Sequence, residues 1–449
     1  MYPSIQSCRA RSDPRNFVQN LSELESFDAR VSGRLRSMSD PAAVAESLAF
    51  DGLRWLLAEG TPSAAGLAWS PVRGEDVDPT LYQGGGGVAL ALLEAYRHFK
   101  DEPYADAARS TGCSIAAAIP SVDHASLYFG LTGIALTLCA IDATLDDASA
   151  RAAATQALAL VRSQFDGTRW NSDFELLAGN AGIALGALAC GDVELALLAV
   201  MPYVRTAEVT DNGVQWEDRA GEVSRLHHLS HGTLGIVAAL AAVGKATDHH
   251  ELIELALRGA ADVVGRNEAG PSGFLVPHSD PQYVPGRTPR YSYGWCHGPA
   301  GDAQVFRRLE QVTGDATWTD LVERCWSTVL DSGLPQRTEP GFWDNNGRCC
   351  GTAGVLALAC DRVAEGHGDL GFAEKLVDDL RARSTRDGDG ARWSNVEYRK
   401  EPSELTPEVG WAQGNSGIVR ELLRFTRCAR GEDASYAATI PDQPDIRAI

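Results

Sequence analysis

The sequence predicts an all-α protein, an α/α toroid of seven helical hairpins. The main observation is a G-x-x-G turn that recurs seven times, each time before an aliphatic or helix-forming run. The second is an amphipathic segment between successive turns, and the third is a scarcity of strand-like period-2 alternation. The turns begin at Gly84, Gly130, Gly179, Gly232, Gly298, Gly351 and Gly414.

Each repeat combines two kinds of helix. The run after a turn is nearly all apolar, as in GTLGIVAALAAV from Gly232, which predicts a helix buried all round. The segment between turns carries one apolar stripe, which predicts an outer helix. In DHHELIELALRGAADVVGRN the stripe is Leu252, Leu255, Ala256, Gly259, Ala260 and Val263. Closing the hairpins into a ring buries every apolar face, and an open solenoid is the alternative.

The repeats divide the chain into two parts. Residues 1–79 carry amphipathic helical signals without the glycine turn, and we expect an N-terminal helical segment that caps the toroid or holds a leader peptide. Residues 80–449 form the toroid, and the whole is expected to be one continuous domain. In a toroid the seven turns gather at one end, where the inner helices begin, so the active site is expected there.

Composition excludes several classes of protein. The 449 residues are 44% hydrophobic and 22% charged, enough for a large core and without a signature of disorder. The net charge of -20, with no basic cluster, argues against nucleic acid. No run has the length of a signal peptide or of a membrane span, which predicts a cytoplasmic protein. Ten scattered cysteines are too sparse for a disulfide framework.

Three cysteines share the register of two turns. Cys296 precedes Gly298 by two residues, Cys349 precedes Gly351 by two, and Cys350 follows directly. Adjacent cysteines are poorly placed to form a disulfide with each other. Three soft ligands at one rim predict a single zinc ion with its fourth position open for substrate. The alternative is a set of buried thiols in an Ala-rich core, since the spacing is not a local metal motif.

With GWCHGPAG and CCGTAG in this repeat, the chain resembles the lanthipeptide cyclases, the lanthionine synthetase C-like proteins, from about Leu81 to the C-terminus. In that family a W-C-x-G motif supplies one zinc ligand and a C-H-G motif two more, which implies Cys296, Cys349 and Cys350. Histidine is commoner at the position of Cys350, although a subgroup carries Cys-Cys-Gly. The third thiolate makes the site more negative, which predicts a faster and less selective thiol-activating centre.

The resemblance implies an enzyme that adds a peptide cysteine to dehydroalanine or dehydrobutyrine and so closes a lanthionine or methyllanthionine ring. His231, directly before Gly232, matches the active-site histidine and is predicted to protonate the enolate. His297 would assist protonation or hydrogen-bond a zinc thiolate. Glu175 is the nearest match to the family's acid, where aspartate is usual, and Asp173 competes for that role.

Two further features lie near the predicted site. A family arginine precedes the W-C motif, and Arg290 is close to that position but two residues out of register. Residues 267–293 break the helical period with Pro, Gly and aromatic residues, which predicts a lid or a loop that contacts the peptide. His227 and His231, four residues apart, are an alternative metal pair, but no glutamate stands at the metalloprotease position.

The predicted partner is a dehydrated precursor peptide with its leader. No kinase, dehydratase or nucleotide-binding motif is evident, so a separate dehydratase is expected. One alternative function is addition of a small thiol such as glutathione to dehydroamino acids. Another is a non-catalytic peptide-binding scaffold, and terpene cyclases and prenyltransferases also have α/α toroid folds.

Overall fold

The computed structural model describes residues 40–286, 288–336, 345–368, 370–397 and 401–443. In chain order their helices are α1 (Pro41–Glu59), α2 (Gly85–Phe99), α3 (Glu102–Ala118), α4 (Leu131–Leu145), α5 (Ala148–Ser163), α6 (Asn180–Ala189), α7 (Val193–Thr206), α8 (Thr233–Ala246), α9 (His250–Gly265), α10 (Pro299–Thr313), α11 (Thr317–Asp331), α12 (Thr352–Ala364), α13 (Leu370–Arg383) and α14 (Asn415–Ala429). A short 3-10 turn, Ile119–Ser121, follows α3.

Strands are short in the described ranges, with two or three residues each. They are β1 (Thr61–Pro62), β2 (Leu67–Ala68), β3 (Glu208–Val209), β4 (Val214–Gln215), β5 (Arg225–Leu226), β6 (Ser279–Asp280), β7 (Thr385–Asp387) and β8 (Gly390–Arg392). They pair in order as four two-stranded antiparallel ribbons. No helix of the described chain has the length and apolar character that crossing a bilayer requires.

The glycine turns are the N-caps of the even-numbered helices, as the repeat predicts. These helices are buried almost all round, and α8 buries every residue from Thr233 to Gly244. Odd-numbered helices bury one face. On α9 all six residues of the predicted stripe are buried. The inner and outer roles predicted from periodicity are therefore confirmed.

The helices form seven pairs around an axis. The even-numbered helices from α2 to α12 each pack against the odd-numbered helix that follows in the chain. The last even-numbered helix, α14, packs against α1. Neighbouring even-numbered helices also contact each other around the whole circle, including α14 with α2. Of the predicted N-terminal segment 1–79, residues 1–39 lie outside the described residues, and the remainder contains α1, the outer partner of α14.

A ring of backbone hydrogen bonds closes the toroid at the turns. The residue two positions before each turn glycine donates its N–H to the carbonyl of the equivalent residue in the next turn, at 2.8–3.3 Å. In order these residues are Tyr82, Tyr128, Leu177, Ser230, Cys296, Cys349 and Ala412. Ala412 donates back to Tyr82 at 2.9 Å. The predicted closed α/α toroid is confirmed, and the open solenoid is excluded.

The second glycine of each turn is required by close packing. A Cβ on Gly133 or Gly301 would lie 1.9 Å from the carbonyl oxygen six residues earlier, and one on Gly182 would lie 2.0 Å from it. Each inner helix therefore begins directly against the backbone of its own turn, where a side chain has no room.

Gly301→Ala is expected to destabilise the protein by at least ~3 kcal/mol, because its Cβ would collide with the Trp295 carbonyl oxygen. Gly388→Ala is the matched control, since a Cβ there meets nothing within 4 Å. Urea denaturation of the two variants measures the difference. Equal free energies of unfolding would contradict the close-packing account of the repeat.

Candidate metal centre and active site

The three predicted ligand cysteines lie together at the rim. Cys296 Sγ is 3.1 Å from Cys350 Sγ, which is 3.4 Å from Cys349 Sγ. All three sulfurs lie within 4.8 Å of one another. The backbone N–H of Cys296 donates to the carbonyl of Cys349, so the ring of hydrogen bonds holds the turns before α10 and α12 side by side. The shared position of these cysteines in the repeat therefore places their side chains in contact.

The thiols influence one another strongly. Hydrogen bonds from Cys296 and Cys349 hold the pKa of the Cys350 thiol well below its usual range. Hydrogen bonding to Cys349 and Cys350, together with burial, raises the pKa of Cys296 well above its usual range. In this arrangement one thiolate is held by its neighbours, and full ionisation of all three would require a nearby cation.

The donor set fits zinc. Zinc prefers thiolate ligands, and the three sulfurs, all within 4.8 Å of one another, are close enough to bind one ion together. Within the described ranges these cysteines are the one group of three or more His, Cys, Asp or Glu side chains close enough to share an ion. Cys296 and Cys349 are each 2% exposed, whereas Cys350 is half-buried and lines a cavity.

His231 stands beside a buried carboxylate. Its Nδ1 is 3.5 Å from Glu175 Oε1. Glu175 is 2% exposed and accepts backbone N–H groups from Leu177 and Ala178, which fix its position. Burial alone would lower the pKa of His231, but the charge and hydrogen bond of Glu175 raise it above its ordinary value. His231 therefore retains a proton at a higher pH than a free histidine does.

His297 has the opposite electrostatic character. Its ring stacks on His231 with centroids 5.3 Å apart and packs against His278 at 4.0 Å. Burial, followed by the charges of His278 and His231, lowers the pKa of His297 well below its ordinary value. Burial likewise lowers the pKa of His278 to about 3. Of the two predicted histidines, His231 is the one whose pKa is raised.

Two more histidines, His227 and His228, lie just before His231 in the chain and are fully buried. His228 and Asp302 are both fully buried, with Nδ1 of the histidine 2.9 Å from the carboxylate. The His228 ring meets the His297 ring edge to face at 6.2 Å. His227 is also buried, which lowers its pKa to about 2, and it joins no group of metal-capable side chains in the described ranges.

The remaining predicted residues fall in different places. Asp173 lines the cavity and forms a 2.8 Å ion pair with Arg219, which also lines it. Arg290 is half-exposed, pairs with Glu268 and lies outside the cavity lining. The structure therefore brings Arg219, not Arg290, to the site. Arg219 follows no repeat register, so no sequence signal marks it.

A cavity of about 740 Å³ connects these groups. It contains Cys296, Cys350, His231, His297, Glu175 and Arg219 in its wall. The irregular segment 267–293 supplies a further part of the wall, from His278, Tyr283, Thr288, Pro289 and Ser292. Two of the three cysteines, His231 and the guanidinium of Arg219 thus line one space large enough for peptide side chains.

Two cavity residues carry a sequence signal that the prediction did not use. Tyr82 is two residues before Gly84, and Gln413 is one residue before Gly414. These are the same positions in the turn that Cys349 and Cys350 occupy in theirs. The repeat register would have marked both residues as facing the rim.

A seven-hairpin α/α toroid with a cluster of three thiols at the mouth of its inner helices defines the class of this protein. The family model described as "Lanthionine synthetase C-like protein" matches residues 75–274 and 286–370. The chain belongs to this family, which confirms the resemblance. No curated protein sequence matches the chain.

Three of the solved structures that resemble this chain differ in how well they align. Nisin cyclase aligns over 78% of this chain and 91% of its own, with 16% identity and a TM-score of 0.60. A GH76A α-1,6-mannanase from Salegentibacter sp. HEL1_6 covers 86% of this chain and 98% of its own, with 12% identity and a TM-score of 0.47. An unsaturated glucuronyl hydrolase specific for heparin covers 89% and 100%, with 12% identity and a TM-score of 0.48. At 16% identity the likeness to nisin cyclase concerns the fold alone.

Proposed function

We propose that the protein is a zinc-dependent thioether cyclase. It adds peptide cysteine thiols to dehydroalanine and dehydrobutyrine and forms lanthionine and methyllanthionine rings. The observation that carries the proposal is the convergence of three cysteine sulfurs at the edge of a cavity, which two of these cysteines line together with the His231–Glu175 pair. Family membership supports it, and so does the fold shared with nisin cyclase.

Cys296, Cys349 and Cys350 would hold one zinc ion. When bound, the ion would stabilise the substrate cysteine as a thiolate at neutral pH. Cys350 is the most exposed of the three and lines the cavity, so a substrate sulfur would approach from that side. Cys349 is buried and outside the cavity lining, so its side of the cluster is closed to water.

The chain's own residues complete the addition. Attack of sulfur on the β-carbon forms the C–S bond and moves the π electrons to an enolate, which takes a proton at the α-carbon. His231 supplies this proton, and since its Nδ1 faces Glu175, Nε2 is the nitrogen turned to substrate. The guanidinium of Arg219, which lines the cavity, stabilises the enolate oxygen. His297 remains neutral and orients the His231 ring by stacking.

The substrate and setting follow from this chemistry. A dehydroamino acid arises by removal of water from serine or threonine, so a separate dehydratase must act first on the precursor peptide with its leader. The substrate cysteine and the three ligand cysteines must remain reduced, which suits the cytoplasm.

The experiment that tests the function is incubation of the zinc-loaded protein with a dehydrated precursor peptide. Cyclisation consumes one free thiol per ring at unchanged mass, which thiol alkylation and mass spectrometry detect. If the reaction instead uses a small thiol, added glutathione gives a product of increased mass. If thiols are neither lost nor added, the protein is a binding scaffold and the proposal fails.

Cys350→His is expected to slow cyclisation about tenfold while zinc content stays near that of the wild type. The neutral imidazole removes one negative charge, so the incoming thiolate is more stabilised and less nucleophilic. Zinc stoichiometry and single-turnover rates measure the two effects. Cys139→His, on α4 away from the cavity lining, is the matched control. An unchanged rate in Cys350→His would contradict this electrostatic account.

A further inference from the structure

Two neutral side chains from other turns of the ring flank the adjacent cysteines. The hydroxyl of Tyr82 lies 3.6 Å from Cys349 Sγ. The side chain of Gln413 is hydrogen-bonded to Cys350. Gln413 belongs to the seventh turn, next to the sixth turn that holds the cysteines, whereas Tyr82 belongs to the first turn and meets them only because the toroid is closed.

Both residues are held in place by their surroundings. Tyr82 donates its backbone N–H to the Tyr128 carbonyl and accepts from Ala412, and its ring packs against Phe129 at 4.7 Å. The carbonyl of Gln413 accepts a hydrogen bond from Asn395. Such donors are fixed before any ion or substrate arrives, which is the usual property of groups that orient metal ligands.

The negative charge of the cysteine cluster explains why hydrogen-bond donors beside it would be useful. Three thiolates around a divalent ion leave one net negative charge, whereas two thiolates and a histidine leave none. A hydrogen bond to an ionised sulfur is stronger than one between neutral groups and withdraws electron density from it. The hydroxyl of Tyr82, donating to Cys349, and the amide of Gln413, donating to Cys350, would therefore moderate the two neighbouring negative charges.

We propose that Tyr82, supported by Gln413, is a positioning residue that donates a hydrogen bond to the cysteine pair and sets the donor strength of its sulfurs toward the metal. This inference rests on the zinc site of the proposed function. The phenol touches a ligand and acts on the ion through it, so its effect is expected in the electronic structure of the site as well as in affinity.

The test is Tyr82→Phe, which removes the hydroxyl and keeps the ring packing. The cobalt(II)-substituted protein is expected to show its sulfur-to-metal charge-transfer band at lower energy, because the sulfur lone pairs lose a stabilising hydrogen bond. The zinc Kd, measured by chelator competition, is expected to rise about tenfold. Gln413→Leu, which removes the second donor at similar size, is expected to shift the band in the same direction. Tyr104→Phe, a buried tyrosine on α3, is the matched control and should change neither quantity.

The outcomes separate the two proposals. An unchanged band and Kd in Tyr82→Phe, with normal metal binding by the wild type, would overturn the role of Tyr82 and leave the zinc site intact. Equal changes in Tyr82→Phe and Tyr104→Phe would overturn it too, because the effect would be general. A wild-type protein that binds neither cobalt nor zinc would overturn both proposals.

Discussion

We expect Cys296→Ala and Cys349→Ala each to lower both the zinc affinity and the cyclisation rate by more than about 100-fold. Each variant removes one of three converging sulfurs and leaves two ligands, and the buried position offers no replacement donor from solvent. The effect on the rate follows, because the substrate thiol would no longer be held as a thiolate. Zinc analysis of the purified protein and single-turnover thiol consumption measure the two losses.

Cys325→Ala is the control for these variants. Cys325 is a fully buried cysteine on α11 and belongs to the outer layer, away from the cavity lining. Its removal is expected to cost roughly 1–2 kcal/mol of stability through lost packing and to leave zinc and rate unchanged. Retention of full zinc and full rate in Cys349→Ala would show that the cluster is a set of core thiols.

His231→Gln is expected to slow cyclisation about 10²- to 10³-fold while zinc content stays unchanged. The amide keeps a polar group beside Glu175 but cannot deliver a proton to the enolate at neutral pH. Because the unprotonated adduct can expel the thiolate again, ring closure is slow even where sulfur attack proceeds. His250→Gln, at the exposed start of α9, is the matched control and should react like the wild type. Loss of zinc in His231→Gln would instead indicate a structural role.

The pH profile gives a second readout of the same pair. Glu175 raises the pKa of His231, so the proton donor persists above the ordinary pKa of histidine and is lost as pH rises through the raised value. Glu175→Gln removes the raising charge and leaves the lowering effect of burial, so the falling limb of the rate is expected to move to lower pH. Rates are compared at pH values where zinc content is the same in both proteins. If the falling limb of the pH–rate profile stays in place in Glu175→Gln, then Glu175 does not control the pKa of the proton donor.

Local sequence determined much of this protein. The seven glycine turns, the buried inner helices and the single-faced outer helices follow from composition and period, which depend on residues close together in the chain. The same register placed Cys296 and Cys349 at equivalent positions, so their approach to each other could be predicted. Equivalent side chains on adjacent repeats meet whenever the repeats stack.

Tertiary structure determined which residues meet where the ring closes and where the loop side chains point. Whether the first and seventh turns meet is set by the packing of all seven pairs and by α1 against α14, so the contact of Tyr82 with Cys349 has no local signal. Arg219 reaches the cavity and Arg290 does not, because ion pairs with Asp173 and Glu268 fix their directions. Helical period specifies which face of a helix is buried, whereas the direction of a loop side chain depends on partners distant in sequence.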